Sequence, residues 1–237
     1  MSDFADLMPH GGIEPVFDDV YVVQGSVQMK PLVILPRNMT IIRDGTALSL
    51  LNAVRLSDEG MTALEALGTV TNIVRVGMHG MDNAWYLDRY PEAKLWAVDG
   101  MEHAGGVKTQ EVLSADNVPF ADGEFFQFKD TKAPEGALLL KRHGGVLLTC
   151  DCVQNWESTD GCSFLASIIT KVFGFVKPAQ IGPPWRKRMT PDGGSLQPDF
   201  ERMADLPFTH LIGGHGVPLK THANTRFRET IQRTYSS

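Results

Sequence analysis

Four residues whose types suit metal chemistry stand just past apolar runs of the chain. His79 and Asp82 follow TNIVRV in the segment VGMHGMDN. Asp151 follows VLL in LLTCDC, between Cys150 and Cys152, and His215 follows HLI among the glycines of LIGGHG. Imidazole nitrogens and carboxylate oxygens suit zinc, and iron or manganese in larger coordination shells. Strand ends are where such side chains converge without dismantling a packed core. Gly213, Gly214 and Gly216 allow close backbone approach and positive φ, so the His215 ring is directed into a site rather than into the interior. Each residue also has a plain structural use: His79 in a turn, Asp82 as a helix N-cap, Asp151 as a strand-ending acid. The combination says more than any member.

Two neighbouring features carry further chemistry. The CxC spacing places Cys150 and Cys152 on one side of an extended strand, with Asp151 on the other. That arrangement admits metal binding or a thiol redox role, while small buried residues flanking Asp151 fit the apolar surroundings better. The segment PPWRKRM gathers Trp185, Arg186, Lys187 and Arg188 in an otherwise acidic chain. It either closes over the site and offers cations to an anionic substrate, or is a solvated basic loop around a packed Trp.

The elements that must position these residues follow from patterning. DVYVVQGSVQ, PLVILP and NMTIIRDGTALSLLNAVRL read as strands, the last folding at its Asp44-Gly45 pair into a hairpin. A helix is expected from Ser57, which caps acids at 58 and 59, to a stop at Gly68. TNIVRV and AKLWAVDG read as buried strands, with a helix from Asp82 to Tyr90, before Pro91, between them. EGALLLKRHGGVLLTCD reads as a hairpin turning at His143, Gly144 and Gly145. SFLASIITKVFGFV is an amphipathic helix, and the Pro- and Gly-rich stretch 178–197 is expected as a long irregular loop. A helix in DFERMADL, a strand in THLIGG and a helix from about His222 to Thr234 complete the order. Trp85, Tyr86 and Tyr90 read as helix packing.

Composition narrows the function classes. The 237 residues carry 22 Lys and Arg against 28 Asp and Glu, a net charge of −6, which argues against a general nucleic-acid or anionic-membrane surface. A small-molecule substrate is the expected partner, and a homodimer is compatible with the sequence. No apolar run approaches the roughly 18 residues of a membrane span. The start MSDFADLMPHGG has acids and no cationic lead, unlike a secretory signal, so a cytoplasmic location is expected. Three Cys do not make a disulfide framework. With no internal repeat or linker-like shift, residues 1–237 are expected as one domain.

The segments RNMTIIRDGTALSLLNAVRL, VGMHGMDNAWYLDRYPEAKLWA, GVLLTCDCVQNW and HLIGGHGVPLKTHANTRFRETI, taken in order, resemble the metallo-β-lactamase-like hydrolase superfamily. The likeness is narrower with a branch in which a strand-end His precedes a W…YP helix. It implies an α/β fold, a four-layer αββα sandwich with mixed sheets, and a metal site at one edge, usually zinc or iron, with metal-bound hydroxide as nucleophile. The superfamily's HxHxDH motif is incomplete. It overlays as MHGMDN with Asp82 in place and His79 one position out of step, or, shifted by one, with His79 on the second His and Asp82 on the last. The further His of the superfamily has no counterpart, since His103 and His143 lie in unmatched contexts.

The resemblance therefore implies four ligands, His79, Asp82, Asp151 and His215, around one zinc or iron ion, with Asp82 also catalytic. The expected activity is hydrolysis of a small ester, thioester or lactone-like substrate. The alternative is a non-catalytic protein of the same fold, metal-free, that binds a small molecule or partner. A thiol redox protein using Cys150 and Cys152 is a third reading.

Overall fold

The computed structural model describes residues 4–236; Met1 to Asp3, the first residues of the segment read for a secretory lead, lie outside them. The elements in order are β1 (Glu14–Phe17), β2 (Val20–Lys30), β3 (Val33–Asp44), β4 (Ala47–Leu51), α1 (Asp58–Leu67), β5 (Thr69–Arg75), α2 (Asn83–Arg89), β6 (Lys94–Ala97), β7 (Glu111–Val112), β8 (Gly123–Gln127), β9 (Gly136–Leu140), β10 (Val146–Leu148), β11 (Val153–Gln154), α3 (Phe164–Val172), β12 (Gln180–Ile181), α4 (Pro183–Met189), α5 (Gln197–Ala204), β13 (His210–Ile212) and α6 (Ala223–Tyr235).

Strands β1 to β7 form one sheet in sequence order, antiparallel from β1 to β4 and parallel from β4 to β7. The second sheet has the order β13-β10-β9-β8, antiparallel except for the parallel β10–β13 pair. Strands β11 and β12 make a separate two-stranded ladder. The expected hairpin forms, but Asp44 ends β3 and pairs with Ala47, so the two-residue turn is Gly45-Thr46, with Gly45 at φ +62° in its first position.

The layering is written in the alternation of strand residues. Leu138, Leu140, Val146 and Leu148 of the second sheet meet Val20, Ile42, Leu51 and Val74 of the first in a core between the sheets. Their neighbours Ala137, Leu139 and Leu147 face outward onto α4, α5 and α6, where Trp185, Phe200, Met203 and Phe227 cover them. On the far face of the first sheet Ile41, Leu48, Leu50 and Ile73 pack against Met61 and Leu64 of α1 and Tyr86 of α2. Two sheets back to back with helices outside give the expected four layers. Helix α1 begins as expected, Ser57 Oγ accepting from Gly60 N–H at 3.3 Å.

The stretch 178–197 departs from expectation. It holds β12 and a two-turn helix, α4, rather than irregular loop. Pro183 and Pro184 occupy the first helical positions, where a missing N–H costs nothing, and Trp185 and Met189, four apart, are both buried. No helix among the described residues is long and apolar enough to cross a membrane.

Candidate metal centre

Strand pairing brings two of the four candidate residues together. β10 and β13 pair Val146 with His210, Leu147 with Leu211 and Leu148 with Ile212. The register continues beyond the strands, Thr149 N–H donating to Ile212 O at 3.0 Å and Gly214 N–H to Cys150 O at 2.9 Å. Asp151 and His215 have the same separation in sequence as those pairs, so the ladder sets them opposite each other. His79 arrives from the other sheet, just past β5, its backbone N–H donating to Cys150 Sγ at 3.4 Å.

The glycines around His215 serve space as much as conformation. Gly216 has φ +79°, and a Cβ there would sit 1.9 Å from Asn155 O. Gly213 and Gly214 are not in the left-handed region; a Cβ on Gly214 would lie 3.0 Å from both His79 Cε1 and Cys150 O. The expected positive φ thus holds at one of the three positions, and close approach explains the others.

Three side-chain atoms converge. His215 Nε2 lies 3.0 Å from Asp151 Oδ1, His79 Nε2 lies 3.4 Å from the same oxygen, and the two Nε2 atoms are 3.1 Å apart. A tetrahedral ion with ligand bonds of about 2.0–2.1 Å separates its ligands by about 3.3 Å, so this triangle has the dimensions of one face of such a centre. His79, Asp151 and His215 form a group able to hold a metal among the described residues. The tautomer agrees: His215 Nδ1–H donates to Pro36 O at 2.5 Å, leaving a lone pair on Nε2. Three acceptor atoms facing one another in a mostly buried site repel unless a proton or a metal cation lies among them. Burial alone would push the Asp151 carboxyl up, but the His79 and His215 imidazoles set against it hold it well below the usual carboxylate range. His79 Nδ1 is buried without a hydrogen-bond partner.

A support layer that sequence patterning did not single out holds this triangle. Trp156 stacks on His215, ring centroids 6.0 Å apart, and its Nε1–H donates to Gln154 Oε1 at 2.7 Å. Gln154 in turn donates to Asp151 O at 3.1 Å and Oδ1 at 3.4 Å. From β3, Asn38 Nδ2 donates to the carbonyls of Gly213 and Gly216 at 3.0 and 2.9 Å. These partners were legible only as polar interruptions of apolar strands.

Asp82, expected as a fourth ligand and catalytic carboxylate, lies outside the group. Its Oδ2 accepts a close charge-assisted hydrogen bond from Arg37 Nη2 and another from Arg55 N–H at 3.0 Å, and it is 2% exposed. It occupies the N-cap position of α2 without making a side-chain cap. The physical reason is charge: Arg37, 4% exposed, has to be paired, and Asp82 is the carboxylate within reach. His103 binds Arg75 and His143 binds Asp19, both away from the triangle.

The thiols differ from the CxC expectation. The chain leaves extended geometry at 150–152, so Cys150 enters the core between the sheets and Cys152 the core under α4 to α6. Burial, then nearby carboxylates, pushes both thiols well above their ordinary value, the opposite of what redox chemistry needs. Behind Cys150 sits Glu135, 1% exposed, with both carboxyl oxygens unpartnered. Burial and the Asp151 charge raise its carboxyl well above the usual range, opposed by the Trp185 indole and Arg75.

The triangle opens on a cavity of about 390 Å³ whose walls include Val27, Met29, Leu35, Met81, Trp156 and Phe175. Arg37 and Arg188 also reach it. Such a space is mostly apolar, with a few convergent polar groups at one end.

No family sequence model and no curated protein sequence matches the chain. Solved structures do match in shape. DIM-1 metallo-beta-lactamase superposes with a TM-score of 0.66 at 11% identity, covering 96% of this chain and 99% of that one. A metallo beta lactamase from Erythrobacter litoralis gives 0.60 at 11% identity over 96% of each chain. FIM-1 from Pseudomonas aeruginosa, solved in a mono-zinc form, gives 0.55 at 12% identity over 94% and 95%. Through that likeness over nearly the whole length, and through the order of its layers, the chain has the metallo-β-lactamase fold.

Proposed function

We propose that the chain is a metal-dependent hydrolase of a small ester, thioester or lactone-like substrate, working with one zinc or iron ion held by His79, Asp151 and His215. The observation that carries the reading is the triangle of two imidazole nitrogens and one carboxylate oxygen, 3.0 to 3.4 Å on an edge, at the end of an apolar cavity. Two neutral ligands and one anionic ligand leave a divalent ion with net positive charge and an open position. When bound, such an ion acidifies water towards a pKa of about 7 and polarises a carbonyl oxygen.

The chain's own residues do the rest. Pro36 O fixes the His215 tautomer, Gln154 orients the Asp151 carboxylate, and Trp156 keeps the His215 ring from turning. The apolar wall seats the organic part of the substrate and thins the water around the reacting bond. Arg37 and Asp82 fill the place expected for further ligand charge, so the reading is for one ion rather than two.

The scaffold reading draws on that same diversion of Asp82, which leaves three ligands where the resemblance implied four. Metal analysis of protein purified without added metal separates the two. About one zinc or iron per chain, lost in both Asp151→Ala and His215→Ala together with hydrolysis of a p-nitrophenyl ester, supports the hydrolase. A wild-type protein that takes up no metal at micromolar concentrations of either ion refutes it.

A further inference from the structure

Two cavities meet at α4. Pro184 and Arg188, four apart and so on one ridge of the helix, line both. On one side is the cavity of the metal triangle. On the other is an open groove of about 980 Å³ bordered by Arg186, Lys187 and Arg188, with Thr190 and Ser195 also on its wall. The segment after α3 walls both spaces as well, Phe173 in the groove and Phe175 in the triangle's cavity. The two spaces are therefore neighbours across one ridge.

The groove's charged lining is wholly basic. No Asp or Glu lines it. In a protein of net charge −6, Arg89, Arg142, Arg202 and Arg228 each pair with a carboxylate, while among the described residues Arg43, Arg55 and Arg233 do not. Arg186, Lys187 and Arg188 have no such partner among the described residues. Arg186 is held in place, donating to Thr234 O at 3.4 Å and lying 5.7 Å above the Tyr235 ring. Lys187 and Arg188 are exposed. Three cations on a wall that holds no acid favour an anionic ligand, and guanidinium geometry favours phosphate or carboxylate oxygens.

We propose that this groove holds the anionic, phosphate-bearing part of the substrate, while its acyl part enters the apolar cavity beside His79, Asp151 and His215. This rests on the hydrolase reading for the reactive end. The substrate class becomes an ester or thioester whose leaving part carries two or more phosphate-type charges. Water supplies the hydroxyl to the acyl carbon and a proton to the departing oxygen or sulfur.

The test uses inorganic pyrophosphate and the full-length protein stripped of metal by a chelator, so that the probe cannot bind through an ion. Calorimetric titration is expected to show saturable binding to wild type. Reversing two exposed charges in Lys187→Glu/Arg188→Glu is expected to weaken it by at least about tenfold, and His215→Ala to leave it unchanged. Absence of saturable binding, or equal affinity in the reversed variant, overturns the groove. Binding of pyrophosphate by a protein that hydrolyses no ester would sink the hydrolase reading and leave the groove standing; ester hydrolysis without pyrophosphate binding does the reverse.

Discussion

The diversion of Asp82 to Arg37 can be tested by a double-mutant cycle. Arg37 donates from Nε to Ser26 O and from Nη1 to Ala53 O, each at 3.3 Å, and from Nη2 to Asp82, with both partners of the ion pair almost fully buried. Asp82→Asn strands a buried guanidinium, and Arg37→Met strands a buried carboxylate. Each is expected to cost about 3–5 kcal/mol. Arg37→Met also leaves two carbonyls short of a donor, worth about 1 kcal/mol apiece. In Arg37→Met/Asp82→Asn no buried charge remains, so the double variant is expected to be more stable than the sum of the singles by about 2–3 kcal/mol. Urea unfolding followed by tryptophan fluorescence gives the four stabilities, and metal content is measured on the same samples. Additivity within about 0.5 kcal/mol would show that the two residues do not depend on each other. Loss of metal in Asp82→Asn equal to that in Asp151→Asn would return Asp82 to the ligand set.

Two further outcomes follow from the surroundings of the triangle. Gly214→Ala places a Cβ 3.0 Å from His79 Cε1 and Cys150 O, so the imidazole has to yield by a few tenths of an ångström; zinc affinity by competition with a chromophoric chelator is expected to fall about 10- to 100-fold while the fold persists, and an unchanged affinity would mean that His79 is not held against the GGHG turn. Glu135 keeps its proton in the folded state to higher pH than in the unfolded chain. Its unfolded value is near 4.5, so stability falls as pH rises above that value, by up to about 1.4 kcal/mol per pH unit until the folded group also ionises. Glu135→Gln abolishes this loss: it is expected to match wild type near pH 4 and to exceed it increasingly towards pH 8, and parallel stability profiles would contradict the assignment.

The sequence by itself determined much of the frame. The continuous apolar runs of β9 and β10 marked the strands of a hairpin, and Asp44-Gly45 and Ser57 signalled a turn and a helix start, because these signals act over two to four residues. It also placed His79, Asp151 and His215 beyond strand ends, where the structure brings them together. What it did not determine were choices among distant partners. Asp82 was a ligand by motif and became the counter-charge of Arg37, 45 residues away, since local spacing says nothing of which buried cation needs an anion. The opposite destinations of Cys150 and Cys152, and the helix in PPWRKRM, depended on where the chain left extended geometry and on which core received Trp185. Periodicity selects a face; only packing selects the neighbour, because burial makes every unpaired charge and every vacant volume costly at once.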